Sequence, residues 1–286
     1  MRVEENPDDE ANNQVNKSSD NNDDDGDDQY NDEFESNTDE VVSKLIPSCV
    51  SLSKRTRESI CRPVIYITYS NVYVGLTDKL STFAAGFNDP GIIDLFFRFL
   101  HGHRRIDQRL LNRHRHHIDP KMSVVSSASS VYFAPSDRSG ITGCKRELMR
   151  ATPSWRKSSP RYDTILVRTG LAPGPHGLSV ARLCLLFSFK MNGVRHEVAL
   201  VEWFSYIGES PDDDTGMWVV EREMRDDDSP LMDFIDIGTI LRSCHLLPVY
   251  GKEMISSHIT HETSLDAFRA YYVNKFADHH SFEILT

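Results

Sequence analysis

Between residues 162 and 250 the apolar positions fall in short runs rather than in helical stripes. The stretches RYDTILVRTG, GLSVARLCLLFSF, VRHEVALVEWF, PDDDTGMWVV and FIDIGTILRSCHLLPVYG are separated by clusters of Gly, Pro, Asn and Asp. Short runs rich in β-branched and aromatic residues and bounded by turn formers read as strands. Their close spacing predicts a small, strongly curved antiparallel sheet rather than parallel βαβ units. Strands are expected over residues 164–168, 180–189, 198–204, 217–220, 234–240 and 245–250. In 198–204, Val198, Leu200 and Phe204 alternate with Ala199, Val201 and Trp203, so both faces are apolar and the strand belongs beneath other elements. Met191-Asn192-Gly193 predicts a tight turn, because Asn and Gly tolerate positive φ.

Outside this region the pattern is mixed. Residues 62–76 (RPVIYITYSNVYVGL) alternate β-branched and aromatic positions and predict a hairpin turning at Ser70-Asn71. The clearest helix starts at Asp89-Pro90-Gly91, where Asp89 caps free amides and Pro90 suits the first helical position. Ile92, Leu95, Phe96, Phe99 and Leu100 then recur at helical spacing and define one apolar face. Residues 123–130 are Ser-rich and read as a linker at a domain boundary. Near the end, Thr263-Ser264-Leu265-Asp266 resembles a capping box that starts a short helix through Phe268. Residues 270–276 (AYYVNKF) suit a strand, and His279-His280 precede a final apolar turn. The organisation expected is an acidic tail (1–40), a mixed segment with an amphipathic helix and a basic stretch (41–122), a basic linker (123–160) and a β module (161–286). The fold class is mainly β (α+β overall): a small curved antiparallel sheet or partly open β-barrel with a few peripheral helices.

Charge sharpens the division. Residues 1–40 hold sixteen Asp and Glu against Arg2 and Lys17, a local net of −14; the whole chain carries −11, so residues 41–286 carry +3. With almost no large apolar residues, the tail buries too little surface to offset its ordering entropy and is expected to be disordered. It reads as a solvated spacer, or as an acidic arm that masks a basic patch. One basic stretch follows the helix, with Arg104, Arg105, Arg109, Arg113, Arg115, Lys121 and five histidines. A second contains Lys145, Arg146, Arg150, Arg156, Lys157 and Arg161 around Trp155. Cations beside an indole suit phosphates and stacked bases. The same residues also suit a solvated helix face and a loop whose Trp covers a sheet edge. Lys54, Arg55 and Arg57 form a cluster of the nuclear-import type. The N-terminus is acidic where a secretory signal is basic then apolar, and no apolar run approaches the ~20 residues of a membrane span. A soluble intracellular chain with no membrane partner is expected.

Catalytic templates do not surface. There is no GxSxG elbow, no P-loop and no GxGxxG turn. The cysteines Cys49, Cys61, Cys144, Cys184 and Cys244 form no CxxC pair, which argues against a zinc ribbon or a disulfide framework. Cys244 and His245 are adjacent, so on a strand they point to opposite faces. Asp212-Asp213-Asp214 is a turn, and three consecutive carboxylates cannot converge on one cation. Asp163 and Asp236 are the remaining carboxylates that a residual metal-dependent nuclease would use. His258-x-x-His261 with His279-His280 lacks a specific ligand pattern. No catalytic residue, metal or small-molecule cofactor is expected. The aromatics Tyr162, Trp203, Phe204, Tyr206, Trp218 and Tyr250 lie near strand ends beside the acidic loop. Two or three of them around a pocket, with Asp212 or Asp213 at its rim, would suit a methylated ammonium; the alternative is that they fill the core.

The same residues carry a resemblance. Val180-Ala181-Arg182-Leu183, Val201-Glu202-Trp203-Phe204, Thr215, Cys244-His245-Leu246 and the terminal AYYVNKF resemble, in order, the bromo-adjacent homology domain, a chromatin-associated β-barrel module. From about Val131 onward the wording FAPSDRSGITGCKRELMRATPSWR, PDDDTGMWVVE, LLPVYG and YVNKFADHHSFEI is similar to the C-terminal region of fungal transposon-associated proteins of the Plavaka and Kyakuja-Dileera-Zisupton kind. The nuclease-like domain of such proteins has no counterpart in the first 130 residues, so the resemblance does not imply transposase activity. It implies a nuclear, non-enzymatic β module that contacts a histone tail or other protein, or alternatively DNA.

Overall fold

The computed structural model describes residues 64–72, 79–85, 91–102, 120–134, 143–155, 159–170, 174–252 and 254–286. The acidic tail, the Lys54/Arg55/Arg57 cluster, the Asp89-Pro90 helix start, the basic stretch over 103–119, Arg156 and Lys157 lie outside the described residues. The described strands are β1 (Val64–Val72), β2 (Met122–Phe133), β3 (Cys144–Thr152), β4 (Arg161–Tyr162), β5 (Thr164–Arg168), β6 (Leu178–Met191), β7 (Val194–Tyr206), β8 (Trp218–Arg222), β9 (Met232–Asp236), β10 (Ile240–Ser243), β11 (Leu246–Pro248) and β12 (Ala270–Val273). The described helices are α1 (Leu80–Ala85), α2 (Ile92–Gly102), α3 (Ser264–Ala267) and α4 (His279–Leu285). All strand pairings are antiparallel, in the order β11-β12-β8-β7-β6-β2-β3-β4, with β1 on β2, β9 on β7, and β5 joining β6 to β10. The mainly β, antiparallel architecture expected from the strand rhythm is the one found, as an open sheet with few helices.

The β6–β7 hairpin organises the interior. Its turn is the expected one, with Asn192 and Gly193 at φ 52° and 78°. The ladder is continuous except at Cys184: Leu183 pairs Val201 and Leu185 pairs Leu200, so Cys184 is an extra residue in β6. This bulge reverses which β6 positions face each side. Ala181 and Leu183 before it and Leu186 after it join Ala199 and Val201 in a cluster with β2, β3 and β5. On the opposite face, Leu185, Phe187, Phe189, Val198 and Leu200 form a second cluster under α2. Further along that face, Val180 and Phe204 belong to a third cluster, closed by β12 and α4 through Tyr271, Val273 and Leu285. Arg182 and Glu202, directly paired across the hairpin, lie on the same face between the two patches.

Helix α2 lies where its periodicity placed it. Ile92, Leu95, Phe96 and Leu100 are buried, as is Phe97, while Phe99 packs against the cluster from a half-buried position. Phe96 is fully buried, with ring centroids 5.3 Å from Phe189, 5.3 Å from Phe234 and 6.3 Å from Phe187.

Several local expectations are corrected. Ser70-Asn71 does not turn a hairpin: β1 runs through both residues, and the register shift between Thr68 and Val72 absorbs them as an irregularity opposite β2. The Ser-rich stretch 123–130 is not a linker but the buried centre of β2, paired with β1, β3 and β6. Ser favours turns in isolation, yet here small side chains fit between crowded neighbours and their hydroxyls are satisfied. Ser130 donates to the Leu241 carbonyl at 2.9 Å, and Ser129 accepts from Arg146 at 2.9 Å. The basic segment that follows is likewise a strand, β3. The expected strand 234–240 breaks after Asp236, whose carboxylate accepts from Gly238 N and starts a 3₁₀ turn over Ile237–Thr239. Thr263 makes no side-chain cap to α3, and the final apolar turn is the helix α4, capped by Asp278 through Ser281 N.

Asp278 also anchors the buried guanidinium of Arg242, accepting from it at 2.8 and 2.6 Å. Glu147 approaches the same guanidinium at 3.4 Å and accepts from the backbone and hydroxyl of Ser243. Arg242 donates to His280 Nδ1 at 3.2 Å, and the imidazole stacks on Tyr132 with centroids 4.5 Å apart. Because a guanidinium only donates, Nδ1 accepts and the ring is neutral. Burial, then the Arg242 charge, lower the His280 pKa. Burial alone would raise the Asp278 carboxyl, but the Arg242 and Ser281 hydrogen bonds outweigh it and hold it far below the carboxylate range. These contacts tie α4 to β3 and β10.

Phe96→Ala is expected to cost about 3–5 kcal/mol in urea unfolding. Asp278→Asn leaves Arg242 without its main counter-charge and costs about 3–5 kcal/mol at neutral pH. Both His280 and Asp278 have depressed folded pKa values, so each contributes stability above its ordinary value that is lost on acidification. Stability measured against pH therefore begins to fall below 6.5 and falls further below 3.8; His280→Gln removes the first part of the decline and Asp278→Asn the second.

Candidate binding cleft

A cleft of about 560 Å³ opens where the β5–β6 connection meets the β7–β8 connection. One wall is Thr169 with Pro175, His176, Leu178 and Ser179; the other is Tyr206, Gly208, Glu209 and Trp218. The local sequence explains this shape. β7 ends at Tyr206, and Gly208 supplies the positive φ of 81° that turns the chain away from the sheet. The 3₁₀ turn Gly174–Gly177 then carries His176 over the start of β8. Trp218 is 7% exposed and floors the cleft. Tyr206 and His176 both meet its indole edge-to-face, at centroid distances of 5.5 Å. Thr169 and Ser179 hydroxyls pair at 2.9 Å on the far wall.

The Tyr206 hydroxyl is buried without a hydrogen-bond partner among the described residues, and burial, then the neighbouring Cys244, raise its pKa. This phenol neither ionises near neutral pH nor serves as a base. What the cleft offers chemically is aromatic surface on two sides and the Glu209 carboxylate. That combination attracts an organic cation through ring quadrupoles and charge.

The structure separates the aromatics singled out from the sequence. Tyr206 and Trp218 meet in the cleft. Tyr162 and Trp203 pack instead against the Leu183/Leu186 cluster. Phe204 is buried against Tyr271, and Tyr250 is exposed, 6.4 Å from Phe268. Asp212 accepts from both the amide and hydroxyl of Thr215 at 2.9 and 2.7 Å, which lowers its pKa and closes its own turn; Asp213 and Asp214 are exposed. Glu209 and His176 were missed by sequence reasoning. Each sits in a turn, where no periodicity marks a residue's direction.

The basic set is largely engaged by the chain itself. Lys145 bonds Asp278 at 3.4 Å, and Arg146 bonds Ser129. Arg150 lies over the Trp155 ring at 3.9 Å, and Arg161 lies over it at 5.4 Å while bonding Asp163 at 2.8 Å. The indole expected to stack on a base is thus faced by its own arginines. Asp163 further accepts from Arg150 N, Asp236 caps its 3₁₀ turn, and neither joins Asp212. Among the described residues, no group of three His, Cys, Asp or Glu is placed to hold a metal ion, and no helix is long and apolar enough to cross a membrane. Burial, then neighbouring carboxylates, push the Cys184 thiol up to about 12; burial does the same for Cys244. Neither is a nucleophile near neutral pH.

No family model matches the chain, and neither a curated protein nor a solved structure matches it. An unpartnered buried hydroxyl costs stability that its removal recovers. Tyr206→Phe is therefore expected to raise the unfolding free energy by about 1 kcal/mol, measured by urea denaturation.

Proposed function

We propose that this chain is a non-enzymatic binding module whose Tyr206/Trp218/His176 cleft receives a cationic side chain of a protein partner. The observation that carries the reading is the convergence of two aromatic rings and an imidazole on a cleft bordered by Glu209. An alkylated ammonium fits this chemistry, because methylation weakens hydration while keeping the charge that the rings attract. The resemblance to the bromo-adjacent homology domain makes a histone tail the partner of choice, and the resemblance to transposon-associated fungal proteins makes the nucleus the compartment. DNA binding through Arg150, Trp155 and Arg161 ranks second, since these groups already face one another.

Histone peptides with and without trimethyl-lysine, titrated against the full chain, test the proposal. Methyl-dependent binding is expected, weakened about fivefold by Glu209→Gln, consistent with ~1 kcal/mol for one exposed charge contact. Tyr206→Ala is expected to weaken it further. Binding that ignores methylation, or binding only to duplex DNA with a steep salt dependence reduced by Arg161→Ala, overturns the reading.

A further inference from the structure

Away from the cleft, one face of the sheet carries a row of charges. Arg182 on β6, Glu202 on β7 and Arg222 on β8 lie on neighbouring strands. Glu202 is buried beneath the two arginines, with Oε2 3.8 Å from Arg182 and 3.4 Å from Arg222. Above them sits Asp266. Its Oδ1 alone accepts from both guanidiniums, from Arg182 at 2.9 Å and from Arg222. The aromatic ring of Tyr162 flanks Arg182 at 5.6 Å.

The socket and its plug differ in how they are held. The arginines stand on paired strands and their side chains are 14% and 25% exposed. Asp266 is 44% exposed and rides on the four-residue helix α3, which has no buried residue. The preceding stretch, residues 254–262, is also mostly exposed, Met254 almost completely. Donors outnumber acceptors: Arg222 Nε is buried and no acceptor among the described residues reaches it. A buried guanidinium N–H without a partner is costly, and a single carboxylate oxygen serving two arginines leaves that deficit in place.

We propose that Asp266 occupies an anion socket whose external ligand is a phosphomonoester, and that the ligand displaces the strap carrying Asp266. Without Asp266, two arginines and Glu202 leave one net positive charge on a rigid face. A phosphomonoester carries close to two negative charges and three terminal oxygens, against one charge and one engaged oxygen for Asp266. It satisfies both guanidinium forks and offers an acceptor to Arg222 Nε. A phosphodiester has one charge and two free oxygens and gains little over the carboxylate. The ligand class is therefore a terminal phosphate, on a side chain or a small molecule, rather than a nucleic-acid backbone.

Calorimetry with a phosphoserine peptide, its unphosphorylated form, inorganic phosphate and single-stranded DNA tests this on the full chain. Asp266→Asn is expected to bind the phosphoserine peptide at least tenfold more tightly than the unsubstituted chain does, and Arg222→Gln added to it abolishes the gain. Binding of the peptide but not free phosphate identifies a modified protein as the source; equal binding identifies a small phosphate ester. In the unsubstituted chain, which needs no altered fold, phosphoserine is expected to accelerate proteolysis within residues 254–262 at constant ionic strength. Equal response to single-stranded DNA, no gain in Asp266→Asn, or unchanged proteolysis overturns the proposal. None of these outcomes depends on the Tyr206/Trp218 cleft.

Discussion

The β6–β7 hairpin is apolar on both faces and must be covered on both. A sheet with one solvated face would need only one layer of packing. Here the Ala199/Val201 side is covered by β2, β3 and β5, and the Val198/Leu200 side by α2. The Val180/Phe204 end is covered by the last two strands and α4. The single-residue bulge at Cys184 makes this possible, because it carries Leu185, Phe187 and Phe189 to the side where Phe96 waits. Without it, alternation would send those side chains into the opposite cluster.

Polar groups were placed at the seams between these layers. Arg242 is buried where β10 meets β3 and α4, and it is compensated by Asp278 and Glu147. Arg182 and Glu202 fill the gap between the two apolar patches on one face of the hairpin. Buried ion pairs contribute little net stability compared with apolar replacements of the same shape. Their geometric demand is different: a guanidinium has fixed donor directions, so it admits fewer arrangements of the covering elements than a methyl group does. In this chain the C-terminal residues, which close the third cluster, are the ones held by such contacts.

Both proposed binding features follow from where the packing stops. The cleft forms at the end of the β7 ladder, where Gly208 diverts the chain and leaves Tyr206 half-buried above the buried Trp218. The charged row under Asp266 lies on a part of the sheet covered only by an exposed strap. Asp212 and Asp236 each close a turn, whereas Asp163 accepts from Arg150 N and pairs with Arg161, so the three carboxylates do not converge.

The strand rhythm over residues 162–250, the Asn192-Gly193 turn, the two-sided burial of β7 and the apolar face of α2 were legible from residue order, because each depends on a period or a dihedral preference within a few residues. The Ser-rich β2 was not legible, since the reason serines are buried there is supplied by β1, β3 and Leu241, distant in sequence. The same holds for the choice of Tyr206 and Trp218 over Tyr162 and Trp203 as the cleft aromatics. Alternation places each of them on a face, but only the pairing of β8 with β7 and the position of the Gly174–Gly177 turn determine which face stays open. Arg182, Glu202, Arg222 and Asp266 are unremarkable at their own positions. Their meeting depends on the cross-strand register and on the return of the C-terminal strap, which no local preference encodes.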